Sequence, residues 1–136
     1  MKHIALFLVF LALPLAAQDR VITSAEVAQG WFDVTIANGE SLSSSVGIGK
    51  ACTPVALRMP DAWTDAQVSF LASPNSTTPV SLFDGGTEVK VTVAASRYVV
   101  IEPAVFFTVR VLRLRSGDAG APVNQAASRT IRVVCR

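Results

Sequence analysis

Short stretches in which apolar and polar residues alternate recur along most of this chain, and turn-forming residues separate them. Phe32, Val34 and Ile36 occupy every second position, and Asn38-Gly39 follows as a turn signal. A period of two places the apolar side chains of a strand on one face. The pattern therefore favours β-strands that are buried on one side.

Such segments recur at intervals of roughly 8–14 residues, with glycine, proline, serine or asparagine between them. No segment has a sustained helical period. We therefore predict an all-β fold, a β-sandwich or a barrel with about eight or nine short antiparallel strands. The predicted strands are Phe32–Ile36, Leu42–Ile48, Thr53–Met59, Gln67–Ala72, Val80–Phe83, Glu88–Val93, Arg97–Ile101, Thr108–Arg115 and Arg129–Arg136.

The first 17 residues have the layout of a secretory signal peptide. A basic start at Lys2 leads into an apolar run from Ile4 to Leu13, and the small residues Ala16 and Ala17 precede a polar stretch. Cleavage near Ala17 would give a periplasmic or secreted protein. The run is too short for a bilayer, which needs about 20 apolar residues, so no stable membrane span is expected. The alternative is a retained apolar arm that is buried against another surface.

These features divide the chain into a leader at 1–17, a polar lead-in at 18–30 and a β-sandwich domain at 31–136. The formal net charge is +2, and the one histidine, His3, lies in the leader. A processed chain therefore has no histidine for a Ser-His-Asp or Cys-His device or for a histidine-containing zinc site. Two cysteines cannot make a four-cysteine zinc site. We expect a protein that is not an enzyme and has no catalytic residues, metal or cofactor.

Cys52 and Cys135 are the two cysteines of the chain. Cys135 falls on the apolar face of the last predicted strand, and Cys52 lies at the start of an early one. In an oxidising compartment an even number of cysteines favours a disulfide, which here would close a loop of about 84 residues. The alternative, in a reducing cytoplasm, is two buried free thiols.

Positive charge is concentrated near the C-terminal end, where six arginines after Pro103 are accompanied by the single acid Asp118. A candidate partner-binding surface consists of Arg110, Arg113, Arg115 and Arg132 with Trp63, and Arg136 belongs to the same arginine set. The alternative is the solvated faces of strands, because these arginines alternate with apolar residues. Nucleic acid is not an expected partner, since a processed chain has a net charge of only about +1.

The arginine-rich strand Thr108–Arg115 contains a change of phase. Its apolar residues Val109 and Val111 have one parity, and Leu112 and Leu114 have the other. A β-bulge near Val111-Leu112 would bring all four inward and turn the arginines of this strand outward.

Three aromatic residues, Trp31, Trp63 and Tyr98, are candidates for stacking on a sugar ring. The alternative for Trp63, just after Pro60-Asp61, is to plug one end of the sandwich. The stretch from Asp84 to Glu88 offers two carboxylates to calcium. A hairpin turn explains the same residues, because its glycines supply the positive φ that such a turn needs.

Four segments carry a resemblance to a known family: Val55–Phe70, Leu82–Val89, Val109–Gly117 and Ala121–Gln125. Together they resemble small proteins encoded among the structural genes of tailed bacteriophages, over about Val34 to Arg136. The resemblance implies a β-sandwich with a virion-associated role, such as head decoration or a fibre or tail accessory. The implied partners are other virion proteins on a multi-subunit lattice and surface polysaccharide.

The strand pattern is also similar, more loosely, to discoidin-type carbohydrate-binding sandwiches. Those often carry a disulfide that joins the two ends of the domain, as Cys52–Cys135 would. Together the two resemblances imply a single β-sandwich of the jelly-roll or discoidin-like kind. The leader departs from the phage pattern, because phage particles assemble in the cytoplasm. Two hypotheses follow: a non-enzymatic accessory protein of a tailed-phage virion, and an exported carbohydrate-binding or adhesion module.

Overall fold

A computed structural model of the protein describes residues 30–50, 52–75 and 77–136. The predicted leader and the lead-in up to residue 29 lie outside the described residues. The regular structure within them consists of strands and one 3-10 helix, Pro103–Phe106. The strands are β1 (Trp31–Ile36), β2 (Val46–Gly47), β3 (Pro54–Arg58), β4 (Val68–Ser73), β5 (Val80–Ser81), β6 (Phe83–Asp84), β7 (Thr87–Glu88), β8 (Lys90–Val91), β9 (Tyr98–Val100), β10 (Val111–Ser116) and β11 (Arg129–Cys135).

The first sheet is four-stranded, with the order β1-β11-β3-β9, and its neighbouring strands are antiparallel. β1 pairs with β11 along its whole length, from Trp31 opposite Val134 to Ile36 opposite Arg129. In this pair the hydroxyls of Thr35 and Thr130, 95 residues apart in sequence, lie 2.9 Å from each other in a hydrogen bond. The sheet therefore depends on contacts between the first and last strands of the domain.

The second sheet has the order β2-β10-β4-β5, and β8 pairs with the other end of β4. Between β5 and β8 the chain forms the β6–β7 hairpin, with Phe83 opposite Glu88. Gly85 and Gly86, both at positive φ, form its turn. The predicted hairpin is thus confirmed at its turn, while its flanking segments extend the second sheet.

The hydrophobic core lies between the two sheets. The four-stranded sheet contributes alternate residues such as Phe32, Val34 and Val133, and the second sheet contributes Phe70 and Leu114 among others, all at most 2% exposed. Burying each side chain of this size contributes about 1.5–3 kcal/mol relative to its exposure. The predicted all-β fold is confirmed as two antiparallel sheets packed face to face.

Several predicted strands are shorter or divided in the structure. Of Leu42–Ile48, only Val46–Gly47 forms a strand, while Leu42 and Ser43 make single bridges. Serine hydroxyls compete with sheet hydrogen bonds for backbone partners, and here the Ser43 hydroxyl donates to the Ser44 carbonyl oxygen at 2.8 Å.

The predicted bulge near Val111-Leu112 is absent from the described strand β10, whose register against β4 is continuous. Val109 belongs to the loop before β10, and its side chain is buried in the core. Its amide donates to the Phe106 carbonyl oxygen at 3.0 Å. The strand begins at Val111, which lies on the outer face with Arg113 and Arg115, so the prediction that this valine faces inward is wrong. The register shift lies instead between Val134 and Cys135, where the paired residue is a proline that cannot donate a hydrogen bond.

Candidate functional site

Cys52 and Cys135 form a disulfide, as predicted. Their Cα atoms are 4.9 Å apart, and 83 positions separate them in sequence. Beside the bridge, Thr53 and Arg136 exchange backbone hydrogen bonds of 3.0 and 2.9 Å. The disulfide therefore fastens the start of β3 to the end of the last strand.

The structure divides the predicted arginine surface between two opposite sides of the sandwich. Arg113 and Arg115 alternate with the buried Leu112 and Leu114, so they lie on the outer face of the second sheet. Arg132 alternates with buried residues of β11 and therefore lies on the outer face of the four-stranded sheet. Arg110 precedes β10, and Arg136 is exposed at the end of β11. These arginines do not form one surface.

The two arginines of the second sheet are engaged within the fold. The Arg115 guanidinium donates to Ser81 Oγ at 3.1 Å and to Glu88 Oε1 at 3.3 Å, and the Arg115 and Glu88 side chains are each only 12% exposed. Glu88 also accepts from the Ala119 amide. Arg113 Nε donates to the Ser43 carbonyl oxygen. Glu88 thus ties the β6–β7 hairpin to β10.

Trp63 lies at one end of the sandwich, as its alternative interpretation predicted. The side chain is half-buried against the core, and its indole nitrogen donates to the Ala66 carbonyl oxygen at 3.0 Å. Little of its ring is therefore free to stack on a ligand.

Sequence reasoning missed Gln125, which is 1% exposed at this same end. Its side chain accepts from the Thr64 amide at 2.9 Å and donates to Ser116 Oγ at 2.7 Å. Nearby, the Gly117 amide donates to the Gln67 carbonyl oxygen at 2.8 Å. A polar residue in a loop gives no signal of burial in a single sequence, because its bonding partners are distant along the chain.

A second group of residues, which we call the Trp31 face, occupies the outer face of the four-stranded sheet. Two neighbouring cross-strand rows make it up. One row contains Trp31, Val134, Ala56 and Val100, and the other contains Asp33, Arg132, Arg58 and Tyr98.

Arg132 is held in place from two directions on the Trp31 face. Its Nε and Nη2 donate to the two carboxylate oxygens of Asp33 at 2.9 and 3.0 Å. Its guanidinium carbon lies 3.8 Å from the centroid of the Trp31 ring. The hydrogen bond to Asp33 raises the pKa of Arg132 above its ordinary value. The guanidinium is therefore held in one orientation, with its Nε and Nη2 already bonded to Asp33.

Arg58 stands directly opposite Arg132 in the sheet and is exposed. Together with Asp33, Asp61 and Thr130, the two arginines line an open cavity of about 280 Å³ whose floor includes Met59 and Pro60. Tyr98, the cross-strand neighbour of Arg58, is 61% exposed, and Val100 is 76% exposed. Among the aromatic candidates from the sequence, Trp31 and Tyr98 therefore share a surface.

The carboxylates predicted as an alternative calcium pair lie in the β6–β7 hairpin. The Glu88 carboxylate is occupied by Arg115 and the Ala119 amide. Across the described ranges, the structure contains no group of three or more histidine, cysteine or acidic residues that could hold a metal ion. It also contains, over those ranges, no helix with the length and apolar character needed to cross a membrane.

The fold and these surfaces define an all-β sandwich domain closed by one disulfide. The chain matches no protein-family model, no curated protein and no solved structure.

Proposed function

We propose that the protein is a non-enzymatic accessory protein of a tailed-phage particle, attached to the head or tail and able to contact host-surface glycans. The observation that carries the proposal is the convergence of three segments of the resemblance. Trp63 to Gln67, Ser116-Gly117 and Pro122 to Gln125 meet at one end of the sandwich through the hydrogen bonds of Gln125 and Gly117.

This convergence supports the proposal because the segments that carry the phage resemblance also make contacts that hold the domain together. They tie the loop after β3 to the end of β10 and to the loop that leads into β11. A protein of this kind acts through the shape and chemistry of its outer faces. In this proposal, the outer sheet faces formed by the described residues contact a neighbouring subunit and a glycan.

Mass spectrometry of purified phage particles tests this proposal. Peptides of residues 30–136 in stoichiometric amount in washed particles are the expected result, together with an N-terminus at residue 1 or 2. A protein that is found only in a periplasmic fraction and starts at Gln18 would contradict the proposal. A sample of the same lysate from which particles have been removed serves as the control.

The second candidate function is an exported carbohydrate-binding or adhesion module. The disulfide between Cys52 and Cys135 favours it, because disulfides persist in oxidising compartments. The exposed Tyr98 beside Arg58 also favours it, since aromatic rings and guanidinium groups commonly contact sugars.

The test of this candidate is a polysaccharide panel with the oxidised protein. Its intact mass is expected to be about 2 Da below that of the reduced chain, because two thiol hydrogens are lost. Tyr98→Ala is expected to weaken binding, while Phe107→Ala, which changes an exposed aromatic residue outside the Trp31 face, leaves it unchanged. Trp63→Ala, although suggested by the sequence, disturbs core packing and is a poor probe. A flat response across the panel contradicts this function.

A further inference from the structure

We infer that the Trp31 face is a binding site for a carboxylated polysaccharide, with Arg58 as the residue that binds the carboxylate. The inference rests on the glycan contact in the proposed function and names the site and the class of ligand. It applies equally to a particle-bound and to an exported protein.

The first argument is the charge on neighbouring strands. Arg58 and Arg132 are direct cross-strand neighbours, a position in which like charges are destabilising. Asp33 neutralises Arg132 through two hydrogen bonds. No carboxylate in the described part of the chain forms an ion pair with Arg58. A bound anion would reduce the repulsion that remains and give Arg58 an ion-pair partner.

The second argument is the preorganisation of the site. Arg132 is fixed by Asp33 and by the Trp31 ring, so one wall of the cavity is rigid before a ligand binds. Arg58 extends the same row toward Tyr98, whose exposed ring lies on its other side. A carboxylate that binds Arg58 therefore belongs to a ligand whose apolar ring face can pack on Tyr98, and a sugar acid combines both properties.

The third argument is the size of the row. The four strands that carry Asp33, Arg132, Arg58 and Tyr98 span about 14 Å at the usual spacing of neighbouring strands. This length accommodates more than one sugar ring. The site therefore suits a polymer better than a free sugar acid.

The charge balance also distinguishes carboxylated sugars from nucleic acid. Asp33 and Asp61 line the same cavity as the two arginines, so the cavity carries two positive and two negative side chains. Within this cavity Arg132 is paired with Asp33, Arg58 has no ion-pair partner among the residues that the structure describes, and Asp61 accepts a hydrogen bond from Ser96 Oγ at 3.4 Å. A densely charged phosphate backbone requires several basic contacts along its path, and the two carboxylates would oppose it. A polymer with separated carboxylates fits this distribution.

The test is a titration of the full, oxidised chain with polygalacturonate, with dextran as the neutral polysaccharide. Arg58→Gln is expected to weaken polygalacturonate binding by at least about tenfold, because a charge-assisted hydrogen bond is lost. Tyr98→Ala is expected to weaken it as well. The matched control is Arg110→Gln, which removes an arginine that precedes β10 and does not line the cavity, and binding is expected to be unchanged. Thermal denaturation of each variant checks that the fold is retained.

Three results would overturn the inference. The first is equal binding of dextran and polygalacturonate. That result is compatible with a glycan-binding function but shows that the protein does not recognise the carboxylate. The second is an equal loss in Arg58→Gln and Arg110→Gln, which indicates nonspecific charge attraction. The third is tighter binding of single-stranded DNA with the same dependence on Arg58, which assigns the site to phosphate. The presence of the protein in phage particles is decided separately by mass spectrometry.

Discussion

Gln125 and Thr64 are joined by two hydrogen bonds of opposite direction. The Gln125 side-chain oxygen accepts from the Thr64 amide at 2.9 Å, and its side-chain nitrogen donates to the Thr64 carbonyl oxygen at 3.2 Å. The side chain thus pairs with the backbone of Thr64 much as a neighbouring strand would. Because it also donates to Ser116 Oγ, one buried amide joins three segments of the domain.

Replacement of Gln125 by leucine is expected to destabilise the domain by about 2–4 kcal/mol. The apolar side chain leaves the partly buried backbone groups of Thr64 and the buried Ser116 hydroxyl without their partner, and each such group costs about 1–3 kcal/mol. Urea denaturation measures the loss. Gln67→Leu, which changes an exposed glutamine nearby, is the control and is expected to change stability by less than about 0.5 kcal/mol. Equal effects of the two substitutions would contradict the structural role of Gln125.

Removal of the disulfide in a Cys52→Ala, Cys135→Ala double variant is expected to lower the free energy of unfolding by about 4–5 kcal/mol. The bridge restricts the unfolded chain over the 83-residue separation of the two cysteines. Chemical denaturation with and without a reductant measures this difference. The reductant is expected to destabilise the unmodified protein and to leave the double variant unaffected. A protein whose stability does not respond to the reductant would show that the bridge does not form in solution.

The two ion pairs beside the β6–β7 hairpin are expected to differ in importance. Glu88→Ala leaves the largely buried Arg115 guanidinium without its carboxylate, and a loss of about 2–4 kcal/mol is expected. Lys90→Met breaks the more exposed pair with Asp118, and a loss below about 1 kcal/mol is expected. Thermal and urea denaturation of both variants compares them. Similar losses would mean that burial of the first pair has no energetic consequence.

The turn at Asp118 is expected to loosen in acid. The hydrogen bond from Lys90, assisted by backbone amides of Ala121 and Gly120, lowers the pKa of Asp118 below its ordinary value of 3.8. The folded-state pKa is therefore below that of the unfolded chain. The contribution of this carboxylate to stability is present above the unfolded value and disappears as the pH falls through the lower, folded value.

Amide chemical shifts of Gly120 and Ala121, followed by NMR between neutral pH and pH 2, measure this transition. Lys90→Met is expected to move its midpoint upward, because the largest cause of the lowered pKa is removed. Asp118→Asn is expected to abolish it. A midpoint that does not move in Lys90→Met would contradict the assigned cause.

Gly117 is expected to tolerate no side chain. Its φ is +88°, and a Cβ atom there would lie 2.8 Å from the Val123 amide nitrogen. Gly117→Ala is expected to cost about 2–4 kcal/mol, from the left-handed backbone and from the steric overlap. Gly39, at φ +79° with open space around it, is the matched control, and Gly39→Ala is expected to cost only about 1–2 kcal/mol. Urea denaturation distinguishes the two, and equal losses would show that the close approach at Gly117 is unimportant.

Local alternation predicted much of the fold correctly. Phe32, Val34 and Ile36 face the core as their spacing indicated, because a strand sends alternate side chains to opposite faces. The turn at Gly85-Gly86 could also be predicted from the sequence, because the turn needs the positive φ that glycine adopts. The predicted bulge at Val111-Leu112 is wrong because Val109 reaches the core from a loop. Alternation of apolar and polar residues carries no information about loops.

The sequence by itself determined that the domain is all-β, which side chains of its regular strands are buried, and that two cysteines are available for a disulfide. These properties follow from the stereochemistry of neighbouring residues. Only the tertiary structure decided that Arg115 pairs with Glu88 while Arg132 pairs with Asp33 on the opposite outer face, and that Arg58 stands beside Arg132. The physical reason is that strand order and register are set by packing between segments far apart in sequence, 99 residues for Asp33 and Arg132, which no local pattern encodes.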